Sequence, residues 1–365
     1  MRFSDVLEIK NGRSQKQVEN PNGQYPIYGS GGIMGWADSY ICEAHTVIIG
    51  RKGTINNPIY VDRPFWNVDT AFGLVADPNV LLPKYLYYFC CNFDFEKLNT
   101  TVTIPSLTKS NLLSIEIDVP TLSEQAEIVD RLDRICDLIE LRKQQATNLD
   151  DLVKSRFIEL FGDPVRNEKG WPMATIGDIA EIRIGPFGTL LHKEDYVVDG
   201  HALVNPSNII DGKICIDPKL TVTDEKYAEL TAYQLDIGDV VLGRRGEMGR
   251  CAVVYENGLL CGTGSMVLRP NEQMHPYFLQ TIISSPTYKK IIEDKAVGVT
   301  MLNLNVPIVS SLTIPQLPIP MQEQFIEFKQ QTDKLKFDIQ NAIYVYLRII
   351  HWDRWASVSN KGVSL

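Results

Sequence analysis

The chain states one pattern twice, and each statement runs into a long amphipathic helix. Val47-Ile48-Ile49-Gly50-Arg51-Lys52-Gly53 reads against Val240-Val241-Leu242-Gly243-Arg244-Arg245-Gly246. Val75-Ala76-Asp77-Pro78-Asn79 reads against Val267-Leu268-Arg269-Pro270-Asn271, and Lys84-Tyr85-Leu86 against Pro276-Tyr277-Phe278. The opening Asp5-Val6-Leu7-Glu8-Ile9-Lys10 has its own echo in Asp178-Ile179-Ala180-Glu181-Ile182-Arg183. Matches in one order, most at nearly one offset, mark a diverged duplication. Each copy then meets a proline turn and a Glu-Gln pair, Pro120 to Glu124-Gln125 and Pro320 to Glu323-Gln324. Two modules on two helices suit a target with two parts.

A length of 365 residues allows two domains, each able to bury its own core. No apolar run approaches the roughly 18 residues of a membrane span, and Met1-Arg2-Phe3-Ser4-Asp5 lacks the features of a signal peptide. The seven cysteines are odd in number and without metal-type spacing, which predicts buried free thiols in a cytoplasmic protein. A net charge of −9 lowers the expectation of a naked nucleic-acid binder. The acid is spread along the chain, so a local basic cleft or a basic partner subunit stays open.

The expected architecture is α+β: two mixed α/β modules joined by two long antiparallel coiled-coil-like helices, with a pseudo-twofold relation. The modules are placed at residues 1–118 and 165–317, the helical segments at 119–164 and 318–356, and a tail at 357–365. Within the first module, Thr46 to Gly50, Ile59 to Val61 and Ile115 to Val119 read as strands, and Leu82 to Phe93 as a helix. Ser123 is the expected cap of a helix from Glu124 to Phe161, about 55 Å long at about 1.5 Å per residue. Its seam is Ile128, Leu132, Ile135, Ile139, Ala146, Leu149, Val153 and Leu160, interrupted by Arg142 and Arg156. Gly162-Asp163-Pro164 ends it. A second helix, Met321 to Ile350, carries Phe325, Phe328, Thr332, Leu335, Ile339, Ala342, Tyr346 and Ile349 at heptad spacing. Two such seams pair with each other, or with those of another chain.

Little here suggests a self-contained enzyme. Gly29-Ser30-Gly31-Gly32-Ile33-Met34-Gly35 lacks the strand and helix of a dinucleotide loop and reads as a turn near a binding surface. Asn57-Pro58-Ile59-Tyr60 lacks the second proline and the companion cofactor motif of amino-methyltransferases. Glu293-Asp294-Lys295 has nuclease-like spacing without its upstream partner, and reads as a solvated helical face. His45, His192, His201, His275 and His351 never come in ligand spacing. The duplicated Gly-Arg-basic-Gly loops are the best candidates, the other reading being solvated hairpin turns kept by the duplication alone. Each puts two cations at a tight turn after an apolar strand, where glycine admits a ligand and the cations suit phosphate or, for arginine, a guanine edge. Thr54, Asn56, Asn57 and Arg250 add donors and acceptors nearby. Thr103, Thr300 and the polar stretches Ser106-Leu107-Thr108-Lys109-Ser110-Asn111 and Asn303-Leu304-Asn305 are further candidates for facing DNA, or ordinary turns.

The order and duplication of these features resemble the specificity subunit of type I restriction-modification systems. The stretches that carry the resemblance are Tyr25-Pro26-Ile27-Tyr28-Gly29-Ser30-Gly31-Gly32, Ile49-Gly50-Arg51-Lys52-Gly53-Thr54, Val119-Pro120 leading to Glu124-Gln125, and Leu160-Phe161-Gly162-Asp163-Pro164 with Gly170-Trp171-Pro172. They span essentially the whole chain. The resemblance implies two target recognition domains, each reading half of a bipartite DNA site, and helices that set the unread spacer. It implies docking of two modification subunits that methylate adenine, and of restriction subunits that cleave unmodified DNA. Methyl donor and ATP would sit in those partners, with no cofactor or metal and no catalytic residue in this chain. The expected DNA contacts are Ser30, Gly31, Arg51, Lys52, Thr54, Asn56, Lys109, Arg244, Arg245 and Arg250. Two departures stand out: the second module is longer by a segment around Asp195 to Thr231, and Gly29-Ser30-Gly31-Gly32 has no evident counterpart there. A protein-interaction scaffold with duplicated modules is the rival reading, favoured by the acidic balance.

Overall fold

The computed structural model describes residues 1–99, 105–187, 190–298 and 302–359, excluding the side chains of Lys193 and of residues 351–359. Its fold is α+β, with two mixed α/β modules and two long helices. The chain forms two compact units: Met1–Ala146 with the distal part of the last helix from Asp338, and Thr147–Phe337. Each long helix is thus shared between the units.

The first module runs α1 (Phe3–Val6), β1 (Leu7–Asn11), β2 (Tyr25–Gly29), β3 (Gly32–Ala37), β4 (Thr46–Gly50), β5 (Ile59–Val61), β6 (Trp66–Asn67), β7 (Ala71–Ala76), α2 (Pro83–Asn92) and α3 (Lys109–Leu113). One antiparallel sheet has the order β1-β7-β4-β5, and a smaller one β3-β2-β6 pairs β2 with β6 in parallel. All of β4 is buried, which is why it reads as an unbroken apolar run. Val47 and Ile49 join a core with Phe3, Leu74 and Leu86, while Ile48 faces Cys42, Val61 and Phe65. Burying each such side chain stabilises the module by about 1.5–3 kcal/mol.

After α4 (Leu122–Phe161) the second module follows: β8 (Met173–Thr175), α5 (Ile176–Ile179), β9 (Ala180–Ile184), β10 (Tyr196–Val197), β11 (His201–Val204), β12 (Ile209–Ile210), β13 (Lys213–Ile214), β14 (Thr221–Val222), α6 (Asp224–Glu229), β15 (Val240–Gly243), β16 (Cys251–Val253), β17 (Leu260–Cys261), β18 (Ser265–Pro270), α7 (Pro276–Ile283), α8 (Pro286–Lys295), α9 (Val306–Ser310) and β19 (Thr313–Pro315). The last helix, α10, is Ile319–Ser359. The main sheet, β9-β18-β15-β16, repeats the order and antiparallel sense of the first. β11 pairs with β17 in parallel as β2 does with β6. Val240 and Leu242 face one core and Val241 another, the alternation of β4 again.

The register corrects the residue matches read from the string. Val47 pairs with Leu74, and Val240 with Leu268. Val75 therefore corresponds to Arg269, two places beyond Val267. The amide of Asp77 bonds Val6 and that of Asn271 bonds Ile179, which agrees. Pro83 and Pro276 both open their helices, so Tyr85 matches Phe278. The Gly29-Ser30 stretch does have a counterpart. Val68 N–H donates to Tyr28 and Gly262 N–H to Val204, each at 3.0 Å. Asn205-Pro206 thus stands where Gly29-Ser30 stands. Most of the extra length of the second module falls beyond that point, between Val204 and Val240.

A buried glutamine ties each helix to its module. Gln125 accepts from Leu82 N–H at 2.8 Å and donates to the Val80 and Pro120 carbonyls. Gln322 accepts from His275 N–H at 2.8 Å and donates to the Gln273 and Leu317 carbonyls. Each amide side chain satisfies the cap of α2 or α7, where an orphan donor would otherwise be buried. Both glutamines are the fourth residue of their helix, so the partner of Gln125 is Gln322 and not Gln324.

The expected α4 seam positions are buried or half-buried, Leu132 and Ile139 most deeply. Phe157, outside the expected seam, is buried too, and Arg142 and Arg156 do not interrupt the seam: they hold half-buried positions with their heads on Gln145 and Glu159. The cap is Thr121, not Ser123: Thr121 N–H and hydroxyl both donate to the Glu124 carboxylate, whose own amide returns to the hydroxyl. Gly162 (φ 77°) ends the helix as expected, and the Trp171 indole donates to the Phe161 carbonyl at 3.0 Å. In the second unit α4 and α10 pair antiparallel. Phe157 and Phe161 pack on Phe325, and Lys336 reaches Asp150. Leu335, expected in the seam, is 55% exposed because the half-buried position is the neighbouring Lys336. Ile115 to Val119 forms a single bridge, Arg2 with Glu116, and no strand. The matching segment pairs fully as β19 with β8.

Cys42, Cys90, Cys251 and Cys261 are buried, whereas Cys91, Cys136 and Cys215 are exposed, against the expectation of buried thiols throughout. Glu293, Asp294 and Lys295 lie exposed on α8. No helix of the described residues is long and apolar enough to cross a membrane.

Candidate nucleic-acid interface

Three chain segments meet at one end of each module. The first is the Gly-Arg loop. Gly53 and Gly246 sit at φ 80° and 81°, a conformation only glycine adopts without strain. Arg51 N–H donates to Thr70 and Arg244 N–H to Gly264, both at 2.8 Å. The second segment bridges onto it: Lys52 pairs with Ser106 and Arg245 with Asn303. The Arg51 and Arg244 carbonyls accept from Leu107 and Leu304 at 2.9 and 3.0 Å. The third is the turn after the parallel strand. A methyl on Gly50 would lie 3.0 Å from Ser30 Cβ, and one on Gly243 would lie 3.2 Å from Pro206 Cβ. Main-chain geometry therefore builds the same three-segment edge twice.

The side chains differ in what they do there. Arg51 folds back, its guanidinium 5.7 Å from the Phe72 ring centroid and its Nη1 3.5 Å from the Asp69 carbonyl. Arg244 is half-buried and donates through Nε to the Leu304 carbonyl at 3.1 Å. Burial, and then the like charge of Arg245, hold its guanidinium below the ordinary arginine value. Lys52 and Arg245 are exposed, with no side-chain partner among the described residues. Thr54 is exposed on the same loop, and Ser30 and Gly31 lie on the adjoining turn.

Three expected contact residues are engaged inside their modules. The Asn56 carboxamide accepts from Phe95 N–H at 2.7 Å and donates to Asp94 at 3.2 Å, fastening the loop to a short helical turn. Lys109 Nζ donates to the Ile9 carbonyl at 2.8 Å. Arg250 donates to the Pro206 carbonyl at 3.1 Å and pairs with Glu247. Glu247 also pairs with Lys289 at 3.2 Å, and these two cations hold its carboxyl below the usual range. Sequence reasoning missed Asn205-Pro206, whose signal is the parallel pairing of β11 with β17. Thr103 and Thr300 lie outside the described residues. Among those residues no cluster of histidine, cysteine or carboxylate could hold a metal ion.

Comparison with known proteins agrees with this duplicated layout. The family model for the type I restriction modification DNA specificity domain matches residues 1–150 and again 168–347. A putative type I restriction enzyme specificity subunit of Haemophilus influenzae is 28% identical over 220 residues, 51% of this chain and 56% of that protein. The match thus spans little more than half that relative's length. In fold, the chain is similar to the type I restriction-modification S subunit of M. genitalium (TM-score 0.58, 17% identity, 96% of this chain and 93% of that one). It is similar also to a chain from a study of type I complex assembly and conformational transition (TM-score 0.64, 16% identity, 96% and 95%). Because the family model matches both modules and most of the length, this chain belongs to the type I restriction-modification DNA specificity family.

Proposed function

We propose that this protein is the non-catalytic subunit that reads DNA sequence for a cytoplasmic type I restriction-modification complex. Each module, residues 1–118 and 165–317, reads one half of a bipartite site through its three-segment edge. The helical segments at 119–164 and 318–356 set the unread spacer and dock two modification subunits, which hold the methyl donor and methylate adenine. Restriction subunits, when joined, cleave unmodified DNA with ATP. The observation that carries this reading is the twofold construction of a Gly-Arg loop on one main-chain frame with different side chains. A shared frame with unlike side chains is what reading two unlike half-sites requires. The net charge of −9 fits a reader that relies on partner subunits for much of its phosphate contact.

The test is to sequence the methylated bases in cells carrying this chain and a modification subunit, against cells lacking this chain. A gapped adenine motif that disappears with the chain is the expected result. No motif, despite a soluble complex and an active modification subunit, would favour the scaffold reading.

A further inference from the structure

We infer that in each Gly-Arg loop the second cation, Lys52 or Arg245, is the one that touches DNA. We further infer that the modules use it differently: Arg245 reads a guanine edge and Lys52 holds a phosphate. The assignment rests on the proposed DNA reading and deepens it.

Elimination within the edge comes first. Arg51 and Arg244 turn back onto their own module, over Phe72 and onto the Leu304 carbonyl. Arg250 is held by Glu247 and Pro206, and Lys109 by the Ile9 carbonyl. Among the described residues, Lys52 and Arg245 are the two of these six cations whose side chains meet no carbonyl, carboxylate or ring, and both are exposed. Their backbones are fixed by the bridges to Ser106 and Asn303. A free cation on a fixed backbone can meet a ligand without reordering the loop.

The chemistry of the two side chains then separates them. A guanidinium offers two parallel N–H groups that match guanine O6 and N7 together. An ammonium is a compact point charge suited to a phosphate oxygen. Arg244 beside Arg245, with Glu247 engaged by Arg250 and Lys289, leaves a positive spot at the tip of the second loop. Arg51 and Arg244 are positioning residues in this scheme.

The experiment uses the full chain in complex with a modification subunit and selects bound duplexes from a randomised pool at several salt concentrations. Arg245→Ala and Arg245→Lys are both expected to lose preference for one guanine in a single half-site, by about tenfold or more. Lys52→Ala is expected to keep both half-sites, weaken all sequences alike, and lower the salt-dependence slope by about 1. A selected site unchanged in Arg245→Ala, or a guanine preference intact in Arg245→Lys, overturns the first assignment. A changed half-site or an unchanged salt slope in Lys52→Ala overturns the second. If the unsubstituted complex selects no sequence at all, the DNA reading itself fails, and the assignment with it.

Discussion

The two modules share a main-chain frame and differ in how side chains brace its loop. In the second, Glu247 gathers Arg250 and Lys289, Arg250 also bonds Pro206, and Arg244 is half-buried on Leu304. In the first, the bracing has no ion pair among the described residues: Asn56 on Asp94 and Phe95, and Arg51 over an aromatic ring. The frame depends on backbone hydrogen bonds that many side chains permit. One module can therefore change the surface it presents without refolding, and the other need not follow.

The largest effect expected from breaking this comparison is at the paired glutamines. Gln125→Leu and Gln322→Leu each leave a helix cap donor and two carbonyls without partners. Each should destabilise its own module by about 3 kcal/mol or more, given about 1–3 kcal/mol per buried orphan. Denaturant unfolding of the two variants should give losses of similar size, since the three bonds are the same. A large loss in only one would show that the equivalence is geometric and not energetic.

A smaller and deliberately unequal pair is Gly50→Ala and Gly243→Ala. The added methyl would meet the Thr54 carbonyl oxygen at 2.0 Å in the first, but Pro206 Cβ at 3.2 Å in the second. Gly50→Ala should cost about 3 kcal/mol, and Gly243→Ala about 1 kcal/mol. Equal melting shifts would show that the Thr54 carbonyl gives way.

The smallest effect is a pH response of the Gly-Arg loop, expected in the second module and not in the first. The Glu247 carboxyl is held below its ordinary value of 4.5 by Arg250 and Lys289. A depressed folded pKa means the stabilisation is present above the unfolded value and fades as pH falls through the folded one. Below about pH 4.5, amide exchange in residues 244–250 should quicken before that in residues 51–57. Glu247→Gln should remove the difference.

The long helices were legible because their information is local. A seam recurring every three or four residues survives any tertiary setting; Arg142 and Arg156, expected to interrupt it, instead hold half-buried seam positions with their heads on Gln145 and Glu159. Leu335 failed for a tertiary reason: the position half-buried in the fold belongs to Lys336, beside Asp150. The expected strand at Ile115–Val119 failed because only one residue pair, Arg2 and Glu116, bridges there, and an isolated bridge forms no ladder. At the candidate interface, the Gly-Arg loops were visible as apolar strands ending in glycine and charge. That Asn56, Lys109 and Arg250 bond within their own module was not visible, since Asp94, Ile9 and Pro206 are 38 to 100 residues away in sequence.

Sequence by itself determined the duplication, two α/β modules, two seamed helices and the place of the basic loops, because repeat, period and turn chemistry are properties of neighbouring residues. Only the tertiary structure decided which residues are true counterparts. Val75 answers to Arg269, Gln125 to Gln322, and Gly29-Ser30 to Asn205-Pro206, because register is set by hydrogen bonds between distant strands and not by likeness of letters. It also decided which cations face outward, since an arginine turns inward only where a carbonyl or a ring from elsewhere in the chain waits to receive it.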